Sequence, residues 1–194
     1  STMTATRQLV ALKERVSSYS PGDTDLSWTQ ITAWRTLLAT TLDTPHGRII
    51  GAEVSGQRSH AAGHLLAAWL QSRLRVPTNV IASRGPGITS VRLITTTGEI
   101  SINRPDGQVA KLTRTGLPPA TIALPRRGTG DLLAEELRRL DADEIYGETL
   151  KFVDKVGEGR LQLDGSGSTT KKKAKKAATR KAPAKKAAAK KAAK

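Results

Sequence analysis

The stretch VRLITTTGEISINRPDGQVAKLTR, residues 91–114, decides the fold class. Apolar and β-branched side chains alternate along residues 91–96, as they do in a strand with one buried face. Pro105-Asp106-Gly107 is a hairpin signal, because proline pre-sets φ at one turn position and glycine tolerates a positive φ. Strands joined by turns this short pair with their neighbours in sequence, so the stretch predicts an antiparallel meander.

Further elements are predicted on both sides of this stretch. Short apolar runs predict strands at residues 48–55, 79–83 and 120–124, with a turn at 116–119. Apolar residues at three-to-four spacing predict helices at residues 4–18, 29–42 and 59–75. Ser59 is expected to be the N-cap of the third helix, whose polar, solvated face would carry His60 and His64.

Two more helices are expected to close the domain. Leu132, Leu133, Leu137 and Leu140 share one apolar face of the first. Residues 141–144 resemble a capping box and open the second, which turns Ile145, Thr149, Phe152 and Val153 inward. The sequence therefore predicts an α+β domain, with helices packed mainly on one face of an antiparallel β-meander sheet.

The positive charge is concentrated at one end of the chain. The 194 residues carry 32 Lys and Arg against 17 Asp and Glu, a net charge of +15. Residues 171–194 are almost only Lys and Ala, so this basic tail cannot bury a core and is expected to be disordered on its own. The predicted organisation is an N-terminal helix and linker (1–25), the α+β domain (26–163), and a flexible linker with the tail (164–194).

The basic tail suggests one functional hypothesis. A flexible run of cations binds polyanions through counterion release, largely without sequence preference. The candidate polyanion-binding residues are Lys171, Lys172, Lys173, Lys175, Lys176, Arg180, Lys181, Lys185, Lys186, Lys190, Lys191 and Lys194. Non-specific association with DNA or RNA is therefore one hypothesis, and a solubilising extension is the alternative.

The composition excludes several other classes of function. The chain has no cysteine, which excludes disulfides, Cys-ligated metal sites and thiol chemistry within it. Residues 1–5 lack the pattern of a secretory signal and no stretch approaches ~18 apolar residues, so we expect a cytoplasmic protein that does not enter a membrane. No nucleophile–base pair or cofactor motif is visible, so we expect neither enzymatic activity nor a cofactor.

Other candidate sites carry weaker signals. His60 and His64 have metal-ligand spacing, but no third ligand lies nearby in sequence, so we expect no metal. Residues 56–59 precede a helix N-terminus, which can bind phosphate, and Arg58 would strengthen that binding. An ordinary helix start is the more common explanation, so a sugar-phosphate-binding or hydrolytic domain is the weakest hypothesis. Asp25 lies just before a predicted helix, where aspartate commonly caps.

The three tryptophans are expected to have different roles. Trp34 and Trp69 fall on apolar helix faces and are expected in the core. Trp28 is expected to be partly exposed, because it follows a polar Asp-Thr-Asp segment. Since Trp and Arg are enriched at interface hot spots, Trp28 and Arg35 are candidate partner contacts.

Four stretches resemble one protein family. They are TDLSW at residues 24–28, ITAWRTLL at 31–38, SHAAGHLLAAWLQSRL at 59–74 and LAEELRRLDADEIYGETL at 133–150. Together they resemble the C-terminal part of the glucose-6-phosphate dehydrogenase assembly protein family, OpcA, of actinobacteria and cyanobacteria, over about residues 7–153. The tail resembles the Lys/Ala-rich tails of actinobacterial histone-like proteins.

The resemblance to the OpcA family implies a function. It implies a non-catalytic subunit that binds glucose-6-phosphate dehydrogenase, promotes the active oligomer of that enzyme and supports NADPH production by the oxidative pentose phosphate pathway. It also implies that the chain is part of a longer protein. With this partner, Arg138, Arg139 and Tyr146 join Trp28 and Arg35 as candidate partner-binding residues. Activation would follow from tighter binding to the active state of the enzyme.

Overall fold

The computed structural model describes residues 2–138 and 141–163, with side chains from residue 7 onward. The helices are α1 (Thr2–Ser18), α2 (Leu26–Gln30), α3 (Thr32–Leu42), α4 (Ala61–Leu74), α5 (Thr129–Glu136) and α6 (Glu144–Leu150). The strands are β1 (Ile49–Gly56), β2 (Thr78–Ala82), β3 (Ile88–Thr95), β4 (Gly98–Asn103), β5 (Val109–Arg114), β6 (Leu117–Ala123) and β7 (Gly157–Glu158). The predicted linker and basic tail at 164–194 lie outside the described residues.

The seven strands form one mixed sheet in the order β6-β5-β4-β3-β1-β2-β7. The predicted antiparallel meander is confirmed for β3, β4, β5 and β6, which pair in sequence order. The prediction of a purely antiparallel sheet is wrong, because β1 pairs with β2 in parallel and β2 pairs with β7 in parallel. The first of these pairings follows from α4, which connects β1 to β2 as a crossover helix and returns the chain in the same direction.

The alternation in the 91–114 stretch sets the register of the meander. Leu93 lies opposite Ile100, and Ile102 lies opposite Leu112, so apolar side chains from three strands share one buried face. Gly107 has φ +76° in the β4–β5 turn, which favours glycine as the sequence predicts. The predicted turn at 116–119 is displaced, because Pro118 and Pro119 lie inside β6, at the outer edge of the sheet.

Helix α4 is the centre of the core. It packs against β1 and β2 on one side and against α1, α2 and α6 on the other. Residues 61–68 are all buried, and His64 is only 8% exposed. The expected solvated polar face of this helix is therefore wrong. A periodicity argument assumes one buried side, whereas the outer helices cover the second side as well.

Two helix boundaries also differ from the predictions. The helix predicted at 29–42 is divided at Ile31, whose φ of −90° and ψ of 0° separate α2 from α3. Ser59 is not an N-cap: it has φ +55°, and His60 is the N-cap residue of α4.

Trp34 is buried in the core, as predicted, whereas Trp69 is only half-buried and packs against the core. Within residues 2–138 and 141–163, no helix is long and apolar enough to cross a membrane.

Candidate functional site

A groove of about 860 Å³ opens between α2, the start of α3, α5 and α6. It is called the helical groove below. Its lining residues are Gly22, Asp23, Thr24, Leu26, Trp28, Thr29, Thr32, Arg35, Leu133, Glu135, Glu136, Leu137, Arg138, Asp141, Ala142, Asp143, Glu144 and Ile145. Three of the predicted partner contacts, Trp28, Arg35 and Arg138, thus meet in one place although about a hundred residues separate them in sequence.

Trp28 forms the base of the helical groove and joins α2 to α6. Its indole Nε1 donates a hydrogen bond to Asp143 Oδ2 at 2.7 Å, and its ring lies 5.4 Å from that of Tyr146. The guanidinium of Arg35 stacks 3.7 Å above the Trp28 ring. Asp143 is also the N-cap of α6, because its Oδ1 accepts from the backbone N–H of Tyr146 at 3.0 Å. One carboxylate therefore holds the helix start and the indole together.

Asp25 performs a similar double task on the other side of the base. It is the N-cap of α2, as expected for an aspartate in this position, and accepts from the Ser27 backbone N–H at 2.7 Å. Its second oxygen accepts from the Tyr146 hydroxyl at 3.2 Å. Burial, and then the nearby Asp25 carboxylate, raise the pKa of Tyr146 above its usual value. The phenol is therefore a neutral donor that links α6 to α2.

Trp28 and Tyr146, two of the predicted partner contacts, are buried in the core. Trp28 is 4% exposed and Tyr146 is 1% exposed, so the expectation of a partly exposed Trp28 is wrong. Neither side chain has a free surface for direct contact with a partner. Both position the residues that line the helical groove. Their large apolar rings give burial a strong driving force, which the polar residues around them in sequence conceal.

The rim of the helical groove is apolar and exposed. Leu133, Leu137 and Ile145 have 48%, 66% and 41% of their surface exposed. Of the leucines predicted to share a face of α5, Leu132 is buried, and Leu140 lies outside the described residues. The expectation that Ile145 points inward is wrong, whereas that for Thr149 and Val153 is confirmed. The periodic apolar stripe therefore identifies an apolar helix face, but it does not predict whether that face is buried within the domain or exposed.

The charge around the helical groove is mainly negative. Its acidic lining residues are Asp23, Glu135, Glu136, Asp141, Asp143 and Glu144, against Arg35 and Arg138 as basic ones. Some of the acids are already engaged: Arg15 pairs with Asp23 at 3.0 Å, and Arg127 pairs with Glu135. The Thr29 hydroxyl donates to Glu136, which ties α2 to α5. An apolar rim beside an acidic wall is suited to a protein segment that carries both apolar and basic side chains.

The remaining predicted residues are distributed as follows. Arg138 is exposed on the rim, and Arg139 lies outside the described residues, as do all the tail cations from Lys171 to Lys194. In the part of the chain that the structure describes, no group of three or more His, Asp or Glu side chains could hold a metal ion. The rim residues Leu133 and Leu137 are partner-contact candidates that sequence reasoning missed, since periodicity alone assigned them only to a helix face.

One known protein family matches most of the chain. Residues 21–150 match the family described as the C-terminal domain of the glucose-6-phosphate dehydrogenase subunit, OpcA. The matched segment contains every residue that lines the helical groove. No curated protein matches the chain. Since the match covers well over half of its residues, the chain belongs to this OpcA C-terminal domain family, named for a subunit of glucose-6-phosphate dehydrogenase.

Proposed function

We propose that this chain is a non-catalytic subunit that binds glucose-6-phosphate dehydrogenase and promotes the active oligomer of that enzyme. The family description associates the chain with this enzyme. The proposal adds that the association raises the rate of the enzyme, and so supports NADPH production in the oxidative pentose phosphate pathway. The chain itself is proposed to contribute no catalytic group.

The helical groove is the observation that carries the proposal. Its exposed rim of Leu133, Leu137 and Ile145 is an apolar patch of the kind that becomes buried in a protein interface. Its acidic wall would select a partner segment that carries Lys or Arg beside apolar anchors. The hydrogen bonds from Trp28 to Asp143 and from Tyr146 to Asp25 hold α2 and α6 in a fixed relation. The interface is therefore largely formed before binding.

The mechanism we propose is thermodynamic linkage. A subunit that binds the active oligomer more tightly than the inactive form shifts the enzyme toward activity by the ratio of the two affinities. The enzyme must in turn bind the subunit more tightly when it is in the active form, because coupling between binding events is reciprocal.

The test mixes the full chain with glucose-6-phosphate dehydrogenase from the same cell. Complex mass is measured by light scattering and the enzyme rate by NADPH formation. Leu137→Glu places a charge on the rim and is expected to weaken association by about tenfold or more. Leu117→Glu is the matched control, since Leu117 is 53% exposed on β6, outside the groove.

Three outcomes are decisive. Association with a raised rate, lost in Leu137→Glu and kept in Leu117→Glu, supports the proposal. An equal effect of both variants on association would indicate that the interface lies outside the helical groove. A chain that neither associates with the enzyme nor changes its rate would refute the proposed function.

Binding of DNA or RNA by the basic tail stays a prediction. Twelve cations within residues 171–194 favour it, and it would coexist with enzyme binding. The prediction requires that deletion of residues 171–194 abolishes binding to duplex DNA, and that binding of the full chain weakens steeply with salt. DNA binding that survives the deletion would contradict it.

A further inference from the structure

One end of the sheet collects positive charge from four separate loops. The loops that follow β1, β2, β4 and β6 all lie at this end, because β1 and β2 run parallel and the meander alternates beside them. Backbone hydrogen bonds join the loops: the Gln57 N–H donates to the Gly87 carbonyl at 2.8 Å, and the Arg126 N–H donates to the Gly107 carbonyl at 2.8 Å. The basic side chains of these loops are Arg58, Arg84, Arg104, Arg126 and Arg127, against Asp106 as the acidic one.

Arg104 is the most unusual of these residues, because its charge is buried. It is 5% exposed, and its terminal nitrogens donate to the carbonyl oxygens of Leu124 at 2.8 Å and Ile88 at 2.9 Å. Its Nε has no hydrogen-bond partner in the described part of the chain. The guanidinium also stacks 4.8 Å above the ring of Trp34. Within residues 7–138 and 141–163, no carboxylate lies within ion-pair distance of it.

A small cavity lies directly against Arg104. Its walls include Trp34, His60, Arg104, Arg126 and Arg127, and its volume is about 10 Å³. This volume is close to that of a single water-sized probe, so the interior admits one oxygen atom. The Nδ1 atom of His60 is buried and also has no partner among the described residues. Arg104 and His60, which both line the cavity, therefore each have one buried nitrogen without a partner, and each such buried group is costly unless a ligand or water satisfies it.

The charges around the cavity favour an anion rather than a neutral guest. His60 is the N-cap residue of the fourteen-residue helix α4, whose N-terminus adds a partial positive charge. Burial, then Arg126 and then His64 lower the pKa of His60, so its ring is mostly neutral at pH 7. Burial, then Arg126, lower the pKa of Arg104, and the Asp106 carboxylate opposes this change. Arg127 is neutralised by Glu135, whereas Arg126 is exposed at this end of the sheet.

We propose that this cavity binds the phosphate group of inorganic phosphate or of a phosphate monoester. One phosphate oxygen enters the cavity and accepts from Arg104 Nε, while the other oxygens remain at the mouth beside His60 and the exposed Arg126. A tetrahedral oxyanion suits the site, because it offers one oxygen to a narrow cavity and keeps the others available to separate donors. The cavity and the helical groove are separate openings, although Arg127 of the cavity wall pairs with Glu135 of the groove.

The test titrates the full chain with inorganic phosphate, and then with glycerol phosphate, by calorimetry at constant ionic strength. Arg126→Gln removes an exposed guanidinium and should not disturb folding. It is expected to weaken phosphate binding by about tenfold, the effect of one charge-assisted hydrogen bond. Arg160→Gln is the control, because Arg160 is exposed on the C-terminal segment beside β1. Both variants keep the basic tail, so any phosphate bound there cancels in the comparison.

A second readout reports on the cavity itself. Phosphate beside His60 stabilises the imidazolium form, so the pKa of His60 measured by NMR should rise on addition of phosphate in the native chain. A weaker affinity in Arg126→Gln together with this rise supports the site. Equal affinities in the two variants, or an unchanged His60 titration, would place any bound phosphate elsewhere. An absence of measurable binding at about 50 mM phosphate, a concentration that detects even millimolar affinity, would show that the cavity holds only water.

Discussion

Asp143 gives the sharpest test of how the helical groove is held together. Its Oδ2 accepts from the buried Trp28 indole at 2.7 Å, and its Oδ1 caps α6 through the Tyr146 N–H at 3.0 Å. Two substitutions separate these tasks. Asp143→Ser keeps a capping hydroxyl but is too short to reach the indole as well, and Asp143→Ala removes both acceptors.

The structure sets the expected magnitudes. In Asp143→Ser the indole N–H is left buried without its acceptor, since Trp28 is 4% exposed, which costs about 1–3 kcal/mol. Loss of the cap in Asp143→Ala adds about 1 kcal/mol. We therefore expect the free energy of unfolding to fall by about 2 kcal/mol in Asp143→Ser and by about 3 kcal/mol in Asp143→Ala.

The assay is equilibrium urea unfolding followed by circular dichroism, which does not depend on the emission of Trp28. Asp131→Ala is the control, since Asp131 is an exposed acid in the first turn of α5, and it should change stability by less than about 1 kcal/mol. An Asp143→Ser variant as stable as the native chain would refute the assigned role of the Trp28–Asp143 hydrogen bond. Equal losses in the serine and alanine variants would refute the capping role.

Three further predictions concern packing, charge and pH. Gly147→Ala should lower the free energy of unfolding, measured in urea, by about 1–3 kcal/mol, because the new Cβ would lie 2.9 Å from a tyrosine ring. Gly63→Ala in α4 should instead raise the free energy of unfolding by about 0.5–1 kcal/mol, because the new Cβ meets no described atom within 4 Å. Arg92→Gln should lower the free energy of unfolding by about 3 kcal/mol in the same assay. The substitution removes the positive charge that pairs at 3.1 Å with the Glu53 carboxylate, and Glu53 is only 2% exposed. Burial lowers the pKa of His64 below its ordinary 6.5, so the unfolded chain takes up the proton first and stability falls as the pH drops below about 6.5. His64→Gln lacks the titrating imidazole, so its free energy of unfolding should fall by up to about 1 kcal/mol less than that of the native chain between about pH 7 and about pH 5.5. Equal falls in the variant and in the native chain would contradict this prediction.

The meander was predictable because its information is local. The alternation along 91–96 and the Pro105-Asp106-Gly107 turn specify pairing with the next strand, and the structure confirms the result. The parallel pairing of β1 with β2 was not predicted, although α4 between them is long enough for a crossover. Burial of α4 on both sides was also missed, since it depends on helices that lie far away in sequence.

The candidate site was predictable only in part. Trp28 and Arg35 were identified by residue type and Arg138 together with the family resemblance, but their convergence depends on the packing of α2 against α5 and α6. Leu133 and Leu137 were assigned to an apolar helix face but not identified as exposed contact candidates, because the same apolar period occurs in a buried helix face and in an exposed one. The isolated buried charge of Arg104 leaves no signature in sequence, since it lies in a turn whose residues suggest exposure.

The two borders of the seven-stranded sheet restrict how other chains can approach it. One border is β6, where Pro118 and Pro119 remove two amide donors, and the other is β7, which is only two residues long. Edges of this kind are poor templates for strand addition. A second chain therefore gains little by extending the sheet, which protects the domain from edge-to-edge polymerisation at high concentration. The helical groove offers a different route to association, through side-chain complementarity on helices, and this mode allows a complex to form and dissociate without unfolding either partner.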